Sequence, residues 1–99
     1  MNVYADDVEA ALQAHPAVIE AAVVGISHDV LGEDVAAFVV IRPGDELSSE
    51  ELQGFVGERL ADYKVPRRIT FLDELPRNAG GKVVKAQLTA AANRPIRQG

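Results

Sequence analysis

The sequence contains no cysteine, and this absence excludes several kinds of chemistry. Without thiols the chain cannot form a disulfide framework, use a cysteine nucleophile or build a cysteine-type zinc site. It also lacks an apolar run of the roughly 18 residues that a membrane-spanning helix needs, and it does not begin with a basic segment followed by an apolar one. These features predict a soluble domain located in the cytoplasm.

Positive charge is scarce in residues 1–63, where 13 Asp and Glu residues stand against only Arg42 and Arg59. Residues 64–99 have the opposite balance, with eight Lys and Arg against Asp73 and Glu74. The net charge of −5 argues against nucleic-acid binding, which needs a basic surface. The basic part favours a small anionic ligand nearby, unless folding distributes the charges over one surface.

The apolar pattern predicts one small α+β domain without internal repeats. Strands are expected at residues 18–26, 35–41 and 68–72, and the second should be central because it is apolar without interruption. Residues 27–34 are predicted to form a polar loop. The order helix, strand, strand, helix, strand, loop, helix gives a three-stranded sheet flanked by helices, with a lysine-bearing loop before the last helix.

Several residues mark where the helices begin and end. Asp6 or Asp7 is expected to cap the first helix, which Pro16 ends. Ser48 and Glu51 form the capping-box pattern at the start of the second helix. The last helix is predicted from apolar residues at helical spacing: Val84, Leu88 and Ala91.

The loop before the last helix places two glycines, Gly80 and Gly81, directly before Lys82. Glycine lets the backbone adopt positive φ and approach a ligand closely, because it carries no Cβ. Lysine can bring an ammonium group to a site where negative charge develops. The alternative is that residues 78–81 form a solvated turn and that Lys82 points into water.

Other polar residues do not form a recognisable active site. His15 and His28 lack the spacing of a helical metal pair, so no metal site is predicted. Residues 27–29 are a consecutive Ser-His-Asp, whereas the members of a catalytic triad converge from different segments. Two acidic pairs are better explained as a helix cap and a solvated turn: Asp6 with Asp7, and Asp73 with Glu74. Lys82 is therefore the one candidate catalytic residue, supplied to chemistry located elsewhere.

Four segments, taken in order, resemble a known family. They are NVYADDVE (residues 2–9), HPAV through AAVVG (15–25), GE through AFVV (32–40), and YKVP through LPRNAGGK (63–82). Their order and spacing resemble the small C-terminal domain of the adenylate-forming enzymes. That superfamily includes acyl-CoA synthetases, the adenylation domains of peptide synthetases, and luciferases.

The resemblance implies a two-step reaction carried out by a larger enzyme. A carboxylic acid attacks the α-phosphate of ATP, which is bound with Mg²⁺, to give an acyl adenylate and pyrophosphate. A thiol of coenzyme A or of a carrier protein then displaces AMP. Lys82 matches the adenylation lysine of the family, and Gly80 and Gly81 belong to the loop that approaches the acyl adenylate. The likeness at residues 32–33 and 63–66 favours coenzyme A as the acceptor.

The resemblance also implies a domain organisation. Residues 1–92 correspond to a lid domain that changes orientation between the two half-reactions, and residues 93–99 are expected to be a frayed tail. Its partner is a large N-terminal adenylation domain, which holds the ATP and carboxylate pockets and lies outside this sequence. We therefore expect the chain by itself to be inactive and to bind neither ATP nor coenzyme A tightly. It would be either an excised domain or a piece that acts in trans.

Two residues depart from the family pattern. Ala5 stands where the family usually has a proline, and Lys85 stands where many relatives carry an arginine, which conserves the charge.

The alternative hypothesis gives the chain a function of another class. In that case the chain is a free-standing, non-catalytic module that uses the same fold to bind a partner or an anionic ligand.

Overall fold

The computed structural model describes residues 5–28 and 32–92, with the backbone alone for residues 26–28 and 32–34. The elements follow in the order α1 (Ala5–Gln13), β1 (Val18–His28), β2 (Gly32–Ile41), α2 (Ser49–Gly57), a short 3-10 helix (Asp62–Lys64), β3 (Arg68–Phe71) and α3 (Lys85–Ala92). The predicted α+β class and the predicted order of elements are confirmed. The tail at residues 93–99 lies outside the described residues.

The three strands form one mixed sheet in the order β1-β2-β3, so β2 is central. β1 runs antiparallel to β2, with Ala22 opposite Phe38, whereas β3 runs parallel to β2, with Thr70 opposite Phe38. A parallel neighbour requires a crossover connection, and α2 lies within that connection. The register shifts between Val18 and Glu20 at the start of β1.

Two apolar cores cover the two faces of the sheet, as the uninterrupted apolar sequence of β2 predicts. One face of β2 packs with α1 and α2 in the first core, through Val35, Ala37 and Val39. The other face packs with Leu75 and α3 in the second core, through Ala36, Phe38 and Val40. The second core matters most for the candidate site, because the chain between Leu75 and α3 forms the lysine-bearing loop.

The predicted polar loop at residues 27–34 is largely wrong. Ser27 and His28 continue β1, and residues 32–34 already belong to β2, where they pair with the end of β1. Main-chain pairing does not depend on apolar side chains, so the strands extend past the apolar sequence that marks them. Asp29 and its two following residues lie outside the described part of the chain.

Two details of the helix predictions also need correction. α1 begins at Ala5, so Asp6 and Asp7 lie in its first turn, where negative charge favours the helix dipole, and neither is the cap. α3 begins at Lys85, and its buried residues are Leu88 and Ala92, whereas the predicted Ala91 is exposed. Positions four apart lie on one helical face, and this pair faces the second core.

The capping box of α2 is confirmed. The Glu51 N–H donates to the Ser48 hydroxyl oxygen at 3.0 Å, and the Ser48 N–H donates to the Glu51 carboxylate at 2.9 Å. These bonds, chiefly the one from the Ser48 backbone, hold the pKa of Glu51 below its usual value. The stability linked to this carboxylate is therefore fully present above the pKa that Glu51 has in the unfolded chain. It is lost as the pH falls through the lower pKa that Glu51 has in the folded chain.

We expect Ser48→Ala to lower the free energy of unfolding by about 1 kcal/mol at neutral pH, because it removes the side-chain cap. The difference from the unchanged protein should shrink only slightly in acid, because the bond that chiefly lowers the pKa of Glu51 comes from the Ser48 backbone N–H, which alanine keeps. Denaturant unfolding at two pH values measures this. Ser49→Ala is the matched control, since among the described residues the Ser49 hydroxyl bonds only its neighbour Glu50, at 3.4 Å. Equal losses in the two variants would contradict the prediction.

Candidate functional site

The candidate site is a hairpin-like segment, here called the lysine loop, that comprises residues 77–83. Its two arms are joined by a main-chain bond from the Asn78 N–H to the Lys82 carbonyl at 2.9 Å, and the Val84 N–H donates to the Pro76 carbonyl at 2.9 Å just below. A β-bridge joins the two ends of the loop between Arg77 and Val83. The main chain around Lys82 is therefore held in a defined position.

Asn78 organises the tip of the lysine loop. Its side-chain oxygen accepts hydrogen bonds from the N–H groups of Gly80 at 2.9 Å and Lys82 at 3.0 Å. Its main-chain carbonyl also accepts a bond from Gly81 at 3.0 Å. Asparagine commonly bonds its own following backbone in this way. The sequence placed Asn78 only within a possible solvated turn and gave its side chain no part in it, although an asparagine two residues before a glycine is the signal for such bonding.

The two glycines serve the turn for different reasons. Gly81 has φ +87°, a conformation that residues with a Cβ rarely adopt. Its position after a tight turn is that of the glycine bulge in short hairpin loops. Gly80 has ordinary φ, and a Cβ there would lie 3.4 Å from the side-chain oxygen of Asn78, which is an ordinary contact distance. Gly81 is therefore required by its backbone conformation, whereas Gly80 only keeps the tip free of side-chain bulk.

Lys82 directly follows this tip and is exposed. Its main-chain N–H and carbonyl are both bonded to Asn78. Its ammonium group makes no hydrogen bond or ion pair with any residue in 5–28 or 32–92. The sequence left two interpretations open, a solvated turn or a catalytic loop. The turn is solvent-exposed, and the lysine on it can reach outward.

Among the described residues, three of the six Lys and Arg at positions 64–92 form ion pairs with acidic residues near the start of the chain. These pairs are Arg77 with Glu20, Lys85 with Glu9 at 2.6 Å, and Lys64 with Asp7 at 3.4 Å. The charges are therefore distributed over one surface, which is the second of the two interpretations that the sequence allowed. Lys82, in contrast, keeps an unpaired charge within the described part of the chain.

Of the remaining sequence candidates, His15 has a structural role. His15 packs against the Phe55 ring with centroids 4.8 Å apart, and its Nδ1 accepts a hydrogen bond from the Ala17 N–H at 3.1 Å. Asp73 and Glu74 are exposed residues after β3. In the described ranges no group of three or more His, Cys, Asp or Glu residues could hold a metal ion.

Residues 77–82 of the lysine loop are all exposed. A depression of about 520 Å³ is lined by residues 41–45 and 71–73, at the carboxyl ends of β2 and β3, and no residue of the lysine loop contributes to it. The exposed lysine loop is suited to entering a site on another body. Among the described helices, none has the length and apolar character needed to cross a membrane.

Comparison with known families decides what this arrangement is. The family of the AMP-binding enzyme C-terminal domain matches residues 7–82. The chain belongs to this family. The match ends at Lys82, so it includes the glycines of the lysine loop and all three strands. The resemblance seen in the four sequence segments is confirmed.

Curated relatives of this C-terminal domain are ligases of carboxylic acids. The chain is 47% identical over 87 residues to the 2-succinylbenzoate--CoA ligase of Bacillus cereus (strain Q1), which covers 88% of the chain and 18% of that enzyme. It is 49% identical over 81 residues to the medium/long-chain-fatty-acid--CoA/3-oxocholest-4-en-26-oate--CoA ligase of Mycobacterium marinum, covering 82% of the chain and 15% of that enzyme. The chain therefore spans less than a fifth of the length of these relatives.

Solved structures show the same fold for the C-terminal domain. ATP-bound MatB from Rhodopseudomonas palustris is 36% identical with a TM-score of 0.85, covering 92% of this chain and 18% of that one. The amide bond synthetase McbA from Marinactinospora thermotolerans is 38% identical with a TM-score of 0.87, covering 94% of this chain and 19% of that one. In both cases the similar part is a small portion of a much larger enzyme.

Proposed function

We propose that the chain is the mobile C-terminal domain of an acyl-CoA synthetase, an acid-thiol ligase. In this proposal residues 1–92 form a lid that delivers Lys82 to the adenylation step. The full enzyme activates a carboxylic acid with ATP to an acyl adenylate and then transfers the acyl group to a thiol. The curated relatives support the class of reaction, because their names describe CoA ligases of different acids.

The observation that carries the proposal is the geometry of Lys82. Its backbone is bonded on both sides, yet its ammonium group is exposed and has no partner among residues 5–28 and 32–92. An unpaired surface lysine on a rigid turn is well placed to enter a neighbouring site. Attack of a carboxylate on the α-phosphate brings two anions together, and a cation between their oxygens stabilises the transition state.

The glycines Gly80 and Gly81 have a supporting role in this proposal. With no side chain beside Lys82 on its amino-terminal side, the backbone of the tip can approach the acyl adenylate closely. The nucleotide itself, bound with Mg²⁺ in the adenylation step, belongs in the pocket of a large N-terminal domain. Coenzyme A is the proposed acceptor, and the cytoplasm is the proposed location of the enzyme.

The proposal is tested by measuring the two half-reactions separately in a ligase that carries this chain as its C-terminal domain. Adenylate formation is followed by pyrophosphate release, and thioester formation is started from preformed adenylate. A selective loss of the first half-reaction in Lys82→Ala supports the proposal. An equal loss in both half-reactions would show that Lys82 serves the structure of the domain instead.

We also expect the 99-residue chain alone to bind ATP weakly or not at all. Small-molecule sites are concave and bury most of the ligand, whereas residues 77–82 of the lysine loop are exposed. Isothermal titration calorimetry of the chain with ATP and Mg²⁺ measures this directly, with the complete ligase as the positive control. Submicromolar binding by the chain alone would place a nucleotide site here and would contradict the division of roles between the two domains.

A further inference from the structure

Arg77 makes two contacts that link the lysine loop to the sheet. Its guanidinium donates one hydrogen bond to the Gly81 carbonyl at 2.7 Å and forms an ion pair with the carboxylate of Glu20. Guanidinium is planar and presents several N–H donors in a fixed arrangement, so one side chain can hold both acceptors at once. Arg77 therefore joins the loop tip to strand β1.

The peptide group between Gly81 and Lys82 is held from both ends. Its carbonyl oxygen accepts the bond from Arg77, and its N–H donates to the side-chain oxygen of Asn78 at 3.0 Å. Rotation of this peptide group would break both bonds. The peptide group sets the direction in which the Lys82 side chain leaves the backbone, so these two contacts fix that direction.

Glu20 supplies a firm attachment for Arg77. It lies in β1 opposite Val40 of the central strand, and it alternates with Ala22 of the second core, so it is on the sheet face that α3 covers. The ion pair is partly sheltered, with 42% of the Arg77 side chain and 31% of the Glu20 side chain exposed. The two residues are 57 positions apart in the sequence, so the pair joins the loop to a distant element.

We propose that Arg77 is a positioning residue for Lys82, oriented by Glu20 and acting on the Gly81 carbonyl. This inference rests on the proposed role of Lys82 in adenylation. A lysine held in this direction meets the reacting oxygens without a search through other backbone conformations. Pre-organisation of this kind lowers the barrier, because small displacements of a catalytic group cost much of its effect.

The test uses the ligase that carries this chain. We expect Arg77→Gln to slow adenylate formation on the order of 10-fold through kcat, with the KM for ATP nearly unchanged. Thioester formation from preformed adenylate should be nearly unchanged. Arg77→Lys should also be slow, because an ammonium group cannot span both acceptors as the guanidinium does. Full activity of Arg77→Lys would show that charge alone is needed and would overturn the proposal.

Exchanging the charges of Arg77 and Glu20 tests whether the bond to Gly81 or the ion pair alone matters for adenylation. The double variant Glu20→Arg with Arg77→Glu can rebuild the ion pair, but a carboxylate cannot donate to the Gly81 carbonyl. We expect its adenylation to remain as slow as that of Arg77→Gln, even where its melting temperature recovers. Recovery of adenylation in the double variant would mean that the ion pair, and not the bond to Gly81, matters.

Arg59→Gln is the matched control. Arg59 also donates to a backbone carbonyl, that of Phe55 at 3.1 Å, and it lies 3.8 Å from the Glu58 carboxylate, but it is at the end of α2. We expect normal adenylation in this variant. Hydrogen exchange of a peptide that covers the lysine loop should become faster in Arg77→Gln and stay unchanged in Arg59→Gln. Normal exchange together with normal adenylation in Arg77→Gln would overturn the proposal.

The result for Lys82→Ala keeps the two proposals distinguishable. If Lys82→Ala adenylates normally, the proposed function fails and the positioning role fails with it. If Lys82→Ala loses adenylation while Arg77→Gln is normal, only the positioning role fails. Should Arg77→Gln not fold, the adenylation rate of Arg77→Lys is compared with that of Lys82→Ala instead, because Arg77→Lys keeps the charge opposite Glu20. Normal adenylation in Arg77→Lys would again mean that the positioning role fails.

Discussion

Replacement of Lys82 by alanine is expected to reduce the rate of adenylate formation by about 10²- to 10³-fold, as loss of one transition-state charge contact does in other enzymes. The folded structure should be preserved, because the Lys82 ammonium makes no hydrogen bond or ion pair with the described residues and the backbone bonds to Asn78 remain available to alanine. Thioester formation from preformed adenylate should be much less affected, since no carboxylate then attacks a phosphate.

The matched control for this prediction is Arg67→Ala. Arg67 is also an exposed cation of the basic part of the chain, so its removal changes the net charge by the same amount. If the loss of adenylation in Lys82→Ala arose from long-range attraction of anionic substrates, Arg67→Ala would show a similar loss. Added salt would then bring the rates of both variants closer to that of the unchanged ligase. A loss confined to Lys82→Ala and insensitive to salt supports a direct contact with the reacting groups.

The second large effect concerns stability. Leu52→Ala is expected to lower the free energy of unfolding by about 2–5 kcal/mol, the usual range for a leucine truncated inside a core. Leu52 is fully buried in α2, in the first core with α1 and the sheet. The cavity left there cannot close easily, because other residues of this core, such as Leu12 and Val39, are held in a helix and in the central strand.

Denaturant unfolding with linear extrapolation measures this loss in the same chain. The control is Ile19→Ala, because 52% of Ile19 is exposed and its removal empties no interior space. We expect the control to change the free energy of unfolding by well under about 1 kcal/mol. A loss at Leu52 no larger than that at Ile19 would mean that α2 is not packed on the sheet as described.

The main elements of the fold could be predicted because the sequence marks them strongly. Residues 35–41 are apolar without interruption, which indicates a strand covered on both faces, and Ser48 with Glu51 marks the start of a helix. Patterns of side-chain polarity failed at the strand ends. There, main-chain pairing continues through Ser27 and His28, and no periodic apolar signal accompanies it.

The candidate site could be predicted only in part. Lys82 and the glycines before it stand out in the sequence, because their residue types suit close approach to an anion. Asn78 could have been recognised from its tendency to bond the following backbone. The pairing of Arg77 with Glu20 could not, since nothing local connects residues so far apart before the chain folds. Whether Lys82 and its glycines act in catalysis remains a prediction for the half-reaction assays.

The second core has a consequence for attempts to engineer this domain. The residues that flank the lysine loop, Leu75 before it and Leu88 in α3, also cover one apolar face of the sheet. Shortening the chain ahead of the loop would therefore uncover Phe38 and its neighbours and favour aggregation. Exchange of loop tips between related ligases should for this reason retain both flanking leucines and transplant only the residues between them.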